Sequence, residues 1–504
     1  MQSCFHGISP VNLRQLFPNA YVFGNRDYAF VNCVCDSRRV KPGDVFVAVK
    51  GHNVDGHDFI PEAVQNGAGA IVAERPTEFL LQLQSRKAPL PCLLVENTRC
   101  AYVRMCQALF GNPGEKLRLI GITGTSGKTT TACLIAGVLG AGGIDTGIVS
   151  SLGCFDGLDA SPIPASSLQP KRLHSWLSRM KQNECTCAVL EASSPALAKC
   201  RMEGLSLQTV CMTNVRQRHL DIHGSLEAYR KAKMKIFQYL ADDGVAILNM
   251  DDPISAEAAQ FLNFPMLTYG VENEADIMAF PVEQYASEQT VLISAGGESL
   301  PLRTRIVGMP YVYDCLAAIA VGLRMNIPLA TVIRGIETVE TIPGRMERIE
   351  CGQPFGVFVD FARSADELQG TLASLREVTP GRLICVFGAT GKTQPSERAE
   401  AGRVLQQTAD AVVLTDANPG TESPDRIVRD IQHGMKTTVE TAVYHNRRDA
   451  IVFALSQAQP GDCVLIAGKG QEKFQIVNEN RIRHDDREVA RRWLFQNVRH
   501  MAMR

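Results

Sequence analysis

The stretch from Leu117 to Leu139 constrains the fold more than any other. Leu117-Arg118-Leu119-Ile120-Gly121-Ile122-Thr123 is an apolar run of strand length, and the spacing predicts a helix over Thr129–Leu139. Between them lie Gly124, Thr125, Ser126, Gly127 and Lys128. Glycines at such a strand-to-helix turn let successive backbone N–H groups face phosphate oxygens. The helix N-terminus adds partial positive charge and Lys128 a full one. Thr129 and Thr130 follow, and a hydroxyl at position 129 is suited to Mg²⁺. Ile122 stands where the strict GxxxxGK[ST] pattern has glycine, so the competing reading is a glycine-rich turn without function.

A chain of 504 residues is too long for one core and predicts about three domains. Short apolar runs such as Val45–Val49 and Ala70–Ala73, separated by turn-rich pieces, read as a small α/β unit over 1–113. Strands and helices then alternate over 114–342, which implies a largely parallel sheet covered by helices. Ile342-Pro343-Gly344 reads as a linker. Over 343–504, the runs Gly356–Val359, Leu383–Phe387, Ala411–Leu414 and Cys463–Ala467 predict a Rossmann-like domain.

With 52 basic and 53 acidic residues the net charge is −1, which excludes a general electrostatic grip on nucleic acid or anionic membrane. No apolar run approaches the ~18 residues of a membrane span, and the N-terminus lacks the pattern of a signal peptide. The 16 cysteines include Cys33/Cys35 and Cys185/Cys187 but no paired CxxC spacing. They read as reduced thiols of a cytoplasmic protein.

The loop Thr-Gly-Thr-x-Gly-Lys-Thr-Thr over 123–130 is followed by an ordered series: Glu191-Ala192-Ser193-Ser194, His219-Leu220-Asp221, Asn249-Met250-Asp251-Asp252, Gly344-Arg345-Met346-Glu347, Asp416-Ala417-Asn418-Pro419 and Gly468-Lys469-Gly470-Gln471-Glu472. It is preceded by Asp36-Ser37-Arg38, by 41–48 and by 53–60. The series resembles the Mur ligases over nearly the whole chain and is most similar to the MurE branch, which adds the third amino acid to UDP-N-acetylmuramoyl-dipeptide in peptidoglycan synthesis. The resemblance implies an α/β, three-domain architecture: a UDP-MurNAc-type substrate domain (1–113), a central P-loop parallel-sheet domain for ATP (114–342) and a C-terminal Rossmann-like, amino-acid-binding domain (343–504).

It also implies an ATP-dependent amide-bond ligase. A substrate carboxylate attacks the γ-phosphate to give an acyl phosphate and ADP, and an amine then displaces phosphate. Two anions meet in the first step, so cations must neutralise them. The implied catalytic residues are Lys128, Glu191, His219 and Lys233. The implied nucleotide residues are 124–130 with Asn249, Arg345 and Asp360. Mg²⁺ falls to Thr129, Glu191 and His219. Lys233 aligns with a lysine that the family carries as a carbamate, against the plain alternative of a surface lysine. Ser37, Ser193, Arg201, Asn418 and Glu472 are implied substrate contacts. The expected partners are a small-molecule carboxylate and an amino acid, acted on by a monomer.

The chain departs from the family pattern at several substrate-reading positions. Thr-Thr-Pro is Ile163-Pro164-Ala165, the histidine after Ser194 is Pro195, and Arg-Asp ahead of His219 is Gln217-Arg218. Asn-Val-x-Asn is Tyr311-Val312-Tyr313-Asp314, and Tyr-Ala-His is Phe361-Ala362-Arg363. The loop around Lys392 is substituted and only mimics a second phosphate loop. Asp-Asn-Pro-Arg, whose arginine forks onto the distal carboxylate of meso-diaminopimelate, ends in Gly420, which disfavours that amino acid. Three readings stay open: a MurE-like ligase with a non-standard substrate, a peptidoglycan UDP-MurNAc-tripeptide synthetase, and a non-catalytic nucleotide-binding homologue.

Overall fold

The computed structural model describes residues 9–24, 27–51, 54–84, 90–162, 169–216, 224–436 and 439–501. The chain packs as two units, Met1–Thr123 with Ile144–Cys211 and Glu227–Ala246, and Gly124–Gly143 with Met212–Leu226 and Ile247–Arg504.

In the first unit a five-stranded sheet has the order Tyr21–Phe23, Cys92–Leu94, Ala70–Ala73, Val45–Val47, Cys33–Val34. All its pairs are parallel except the first. Both faces are covered, so the strands are apolar at every position. Val45 and Val47 pack with Leu93 and Met105 on one side, and Phe46 with Ile60 and Ile71 on the other. A second sheet places Thr146–Ser150, Cys187–Glu191, Arg118–Thr123 and Leu207–Met212 side by side in that order. Cys187–Glu191 runs parallel to both Arg118–Thr123 and Thr146–Ser150. The strand that leads into the glycine loop and the strand that ends in Glu191 are therefore neighbours with their carboxyl ends together. Thr123 Oγ1 ties the two ends by donating to the Ala192 carbonyl at 3.0 Å.

In the second unit the helix Lys128–Ala141 packs against Met309–Arg324 and Leu329–Glu337. Glycines let the backbones close in: a Cβ at Gly137 would lie 2.7 Å from the Gly335 carbonyl oxygen, and one at Gly335 2.6 Å from Val138 Cα. Glu347–Arg348, Gly356–Asp360, Cys463–Ala467, Leu383–Phe387, Ala411–Thr415 and Glu440–Tyr444 form a six-stranded sheet in that order. Only its first pair is antiparallel. Phe358, Cys385, Phe387 and Leu465 fill one side and Val357, Val359, Ile384 and Ile466 the other. This is the expected α/β class with parallel sheets. Ile342-Pro343-Gly344 forms a turn held in place: Ile342 bridges Arg345, and Gly344 has φ +64° with Gly470 and Gln471 pressed against it.

Every described cysteine is a free thiol. No described helix is long and apolar enough to cross a membrane.

Candidate functional site

The glycine loop of the second unit is held from below by side chains just past a strand end. Thr213 Oγ1 donates to the Ser126 carbonyl at 2.7 Å, and Ser126 N–H donates to Asn214 Oδ1 at 3.0 Å. The Thr125 hydroxyl both donates to the Arg216 carbonyl (3.2 Å) and accepts from Arg216 N–H (2.9 Å). Gly124 and Gly127 are required where they stand. A Cβ on Gly124 would lie 1.9 Å from Thr213 Oγ1, and one on Gly127, at φ +83°, 2.1 Å from Asp314 Oδ1. Lys128 Nζ folds back over the loop and donates to the Gly124 and Thr125 carbonyls, each at 2.9 Å. Asn249 lies one layer behind, its amide donating to the Thr213 carbonyl at 3.0 Å and accepting from Asp251 N–H at 3.0 Å.

Asp314 is buried beside the loop and accepts from Thr131 Oγ1 at 3.2 Å. Burial pushes its carboxyl up to about 8, against hydrogen bonds from Thr131 and Thr130 and the charges of Arg345 and Lys128. Tyr311 is buried in the same helix, and Tyr313 donates its hydroxyl to Asp251 at 2.9 Å.

Arg345 reaches the loop helix, its guanidinium 3.4 Å from Thr129 Oγ1. Asp360, at the carboxyl end of Gly356–Asp360, accepts from Met346 N–H (2.7 Å) and Ala362 N–H (2.8 Å). Burial raises its carboxyl above the ordinary value, against Arg345 and those N–H groups. Two guanidiniums lie over the Phe361 ring, Arg345 at 4.3 Å and Arg363 at 4.0 Å from its centre. Glu367 joins this region to the loop by accepting from Ser126 Oγ at 3.3 Å.

Beyond the carboxyl ends of the same sheet, Asn418 and Glu472 meet. Asn418 Nδ2 donates to Glu472 Oε2 at 2.9 Å. Lys469 donates to that same oxygen, to Asn418 Oδ1 and to the Phe474 carbonyl at 3.0, 3.0 and 2.8 Å. Arg363 reaches Glu472 Oε1 at 2.5 Å and donates to the Gly468 carbonyl at 2.7 Å. Burial alone would raise the Glu472 carboxyl, but Arg363, Lys469 and Asn418 bring it below its ordinary value. The loop around Lys392 is locked nearby. Gly391 N–H donates to the Asn418 carbonyl at 3.0 Å, and the buried Arg398 spans Glu422, Asp430 and the Thr390 and Gly391 carbonyls.

In the first unit, Glu191 Oε2 accepts from Ser151 N–H at 2.8 Å. Ser193 caps Ser194–Ala198, and the partly buried Arg201 has its pKa lowered by desolvation. Ser37 Oγ donates to Glu62 at 2.5 Å. Lys233 is only 1% exposed, so the surface-lysine alternative fails, and its ammonium lies 4.8 Å from the centre of the Tyr229 ring. His219, Gln217, Arg218 and the segment Ile163-Pro164-Ala165 lie outside the described residues. Among the described residues no three His, Cys, Asp or Glu side chains gather as a metal-ligating group. The hydroxyl of Thr129 and the carboxylate of Glu191 are nevertheless oxygen donors of the kind Mg²⁺ takes.

Sequence reasoning left Thr213, Asn214 and Glu367 unassigned. The first two follow an apolar strand, as loop-supporting residues do, but nothing local ties them to positions 124–126.

Family models for the Mur ligase middle domain, the Mur ligase glutamate ligase domain and the Mur ligase catalytic domain match residues 122–322, 344–470 and 30–96. The chain is 35% identical over 484 residues to the UDP-N-acetylmuramoyl-L-alanyl-D-glutamate–2,6-diaminopimelate ligase of Bacillus licheniformis, covering 94% of this chain and 96% of that one. It is 36% identical to the enzyme of the same name from Geobacillus kaustophilus, covering 93% and 95%. A solved structure of a ligase of that name superposes with a TM-score of 0.68 at 27% identity, over 98% of this chain and 100% of the other. The MurF ligase from Thermotoga maritima, solved with ADP, shares the fold at TM-score 0.61 and 20% identity, over 93% and 98%. The chain belongs to the Mur ligase family. It is an ATP-dependent ligase of the MurE-like type, forming an amide between an acid and an amino acid.

Proposed function

We propose that this ligase activates the carboxylate of UDP-N-acetylmuramoyl-L-alanyl-D-glutamate as an acyl phosphate and joins it to the amine of an amino acid other than diaminopimelate. The acceptor is the one named for relatives that match the chain almost end to end. The exclusion rests on Gly420, which offers no guanidinium for a distal carboxylate. The observation that carries the reading is the loop 124–130, on which two cations converge, Lys128 over its carbonyls and Arg345 at Thr129.

In this reading the loop N–H groups and Lys128 take the phosphates of ATP, and Lys128 leaves the carbonyls it now covers. Arg345 neutralises charge on the transferring phosphoryl group. Asp360 accepts from a ribose hydroxyl, and Asn249 acts through the Thr213 end of the loop. Mg²⁺ falls to Thr129, Glu191 and His219 and supplies further neutralisation when bound. Lys233, once its ammonium has given up one proton, adds CO₂ at Nζ and releases a second proton, leaving a carbamate with a negative charge in place of the positive one. Ser37, Ser193 and Arg201 contact the acceptor, and Asn418 and Glu472 contact the amino acid. The enzyme works as a cytoplasmic monomer.

Hydroxylamine intercepts an acyl phosphate without needing the amino-acid site. The wild type given ATP, Mg²⁺, the UDP-dipeptide and hydroxylamine is expected to release ADP and form a hydroxamate, and Lys128→Ala is expected to lose at least 100-fold of that rate. No hydroxamate from the wild type, or undiminished turnover in Lys128→Ala, overturns the assignment. Carbon-13 NMR with labelled bicarbonate reads the Lys233 carbamate directly.

A further inference from the structure

The amino-acid end of the site is built differently from what its motifs alone suggest. Glu472 is the carboxylate placed to hold an incoming ammonium, yet three donors already occupy it: Arg363 on one oxygen at 2.5 Å, Lys469 and Asn418 on the other at 3.0 and 2.9 Å. Lys469 is sealed, with 0% of its side chain exposed, whereas Arg363 and Glu472 keep 24% and 30%. Glu472 is therefore paired with two cations, of which Arg363 is the partly exposed one. Asn418 Oδ1 accepts from both Lys469 and Ile476 N–H.

Gly420 is absorbed into backbone pairing. Its N–H donates to the Ile476 carbonyl at 3.0 Å, its carbonyl accepts from Asn478 N–H at 2.6 Å, and its φ is +62°.

We infer that Arg363 is the specificity-determining residue of the amino-acid site: it docks the carboxylate of the incoming amino acid, and with Lys469 it excludes amino acids that carry a side-chain ammonium. An ammonium arriving at Glu472 meets two like charges already within hydrogen-bond reach of that carboxylate. A carboxylate meets a partly exposed guanidinium that lies over the Phe361 ring at 4.0 Å from its centre and is positioned by the Gly468 carbonyl on Nε and by Glu472 on Nη2.

The inference rests on the ligase reading, and the experiment separates the two. Alanine, glutamate, lysine, ornithine and meso-diaminopimelate are compared as amine donors with ATP, Mg²⁺ and the UDP-dipeptide. Their binding to the protein loaded with a non-hydrolysable ATP analogue is titrated in parallel. Alanine or glutamate is expected to exceed lysine, ornithine and diaminopimelate by at least about tenfold in kcat/KM and in affinity. Arg363→Gln is expected to raise the KM of the preferred amino acid about tenfold, to move the KM for ATP far less, and to narrow the discrimination against lysine because Glu472 is released. Lysine or diaminopimelate serving the wild type as well as the others, or an Arg363→Gln variant with unchanged selectivity, overturns the inference. Loss of hydroxamate formation in the wild type overturns the ligase reading instead, and the binding titration still decides the inference about Arg363.

Discussion

Asp314 gives the sharpest test of how the loop is supported. Its carboxyl is buried, abuts Gly127 and has a pKa of about 8, against 3.8 for an exposed aspartate. Between these values the folded protein binds a proton that the unfolded chain has released. The stabilisation from the raised pKa is fully present below about 3.8 and is lost as the pH rises through about 8. Each pH unit inside that window costs up to about 1.4 kcal/mol. Asp314→Asn keeps the shape and the oxygen acceptor for Thr131 but cannot titrate. Between pH 6 and 7 the wild type should therefore lose about 1 kcal/mol relative to Asp314→Asn. Native-state hydrogen exchange of the amides in Lys128–Ala141 reads this locally and avoids assuming that the whole chain unfolds in one step. Above pH 8 the ionised carboxylate also adds a negative charge beside the phosphate loop, so nucleotide affinity should fall in the wild type and hold in the variant. Parallel pH profiles for the two proteins would refute the argument.

Other perturbations reach other parts of the molecule. Arg447 and Asp486 form a fully buried ion pair at 2.7 Å, and Asp486→Asn should cost about 3–5 kcal/mol in chemical denaturation of the C-terminal sheet. Gly127→Ala places a methyl where Asp314 Oδ1 stands and should reduce ATP turnover at least as much as it reduces stability, as measured by steady-state kinetics beside a melting curve. Gly420→Ala has open space for its methyl but a left-handed backbone, so it should destabilise by about 1 kcal/mol without creating a clash. A melting temperature unchanged from wild type would contradict that assignment.

The parallel strands were legible because burial on both faces leaves runs such as Leu383–Phe387 and Cys463–Ala467 apolar throughout. The helix predicted over Thr129–Leu139 extends only slightly, to Lys128–Ala141, because Gly127 at φ +83° starts it and Gly142 follows its end. Ile342-Pro343-Gly344 has linker composition, but contacts from Gly470 and Gln471, more than a hundred residues away, turn it into a fixed corner. Site residues within one short motif could be named from their neighbours. The Arg363–Glu472 pair could not, because it joins two motifs whose separate readings gave Glu472 to the substrate. Tyr311 is buried in the helix Met309–Arg324.

Phe361 carries one further consequence. Of the two guanidiniums over its ring, Arg345 touches Thr129 and Arg363 holds Glu472. A nucleotide that draws Arg345 away changes the packing of the ring that Arg363 rests on. Occupancy at either end then biases the other, and the bias must be mutual: whatever factor ATP lends to amino-acid affinity, the amino acid returns to ATP. Replacing that ring with leucine should bring the factor towards one while leaving each ligand able to bind alone.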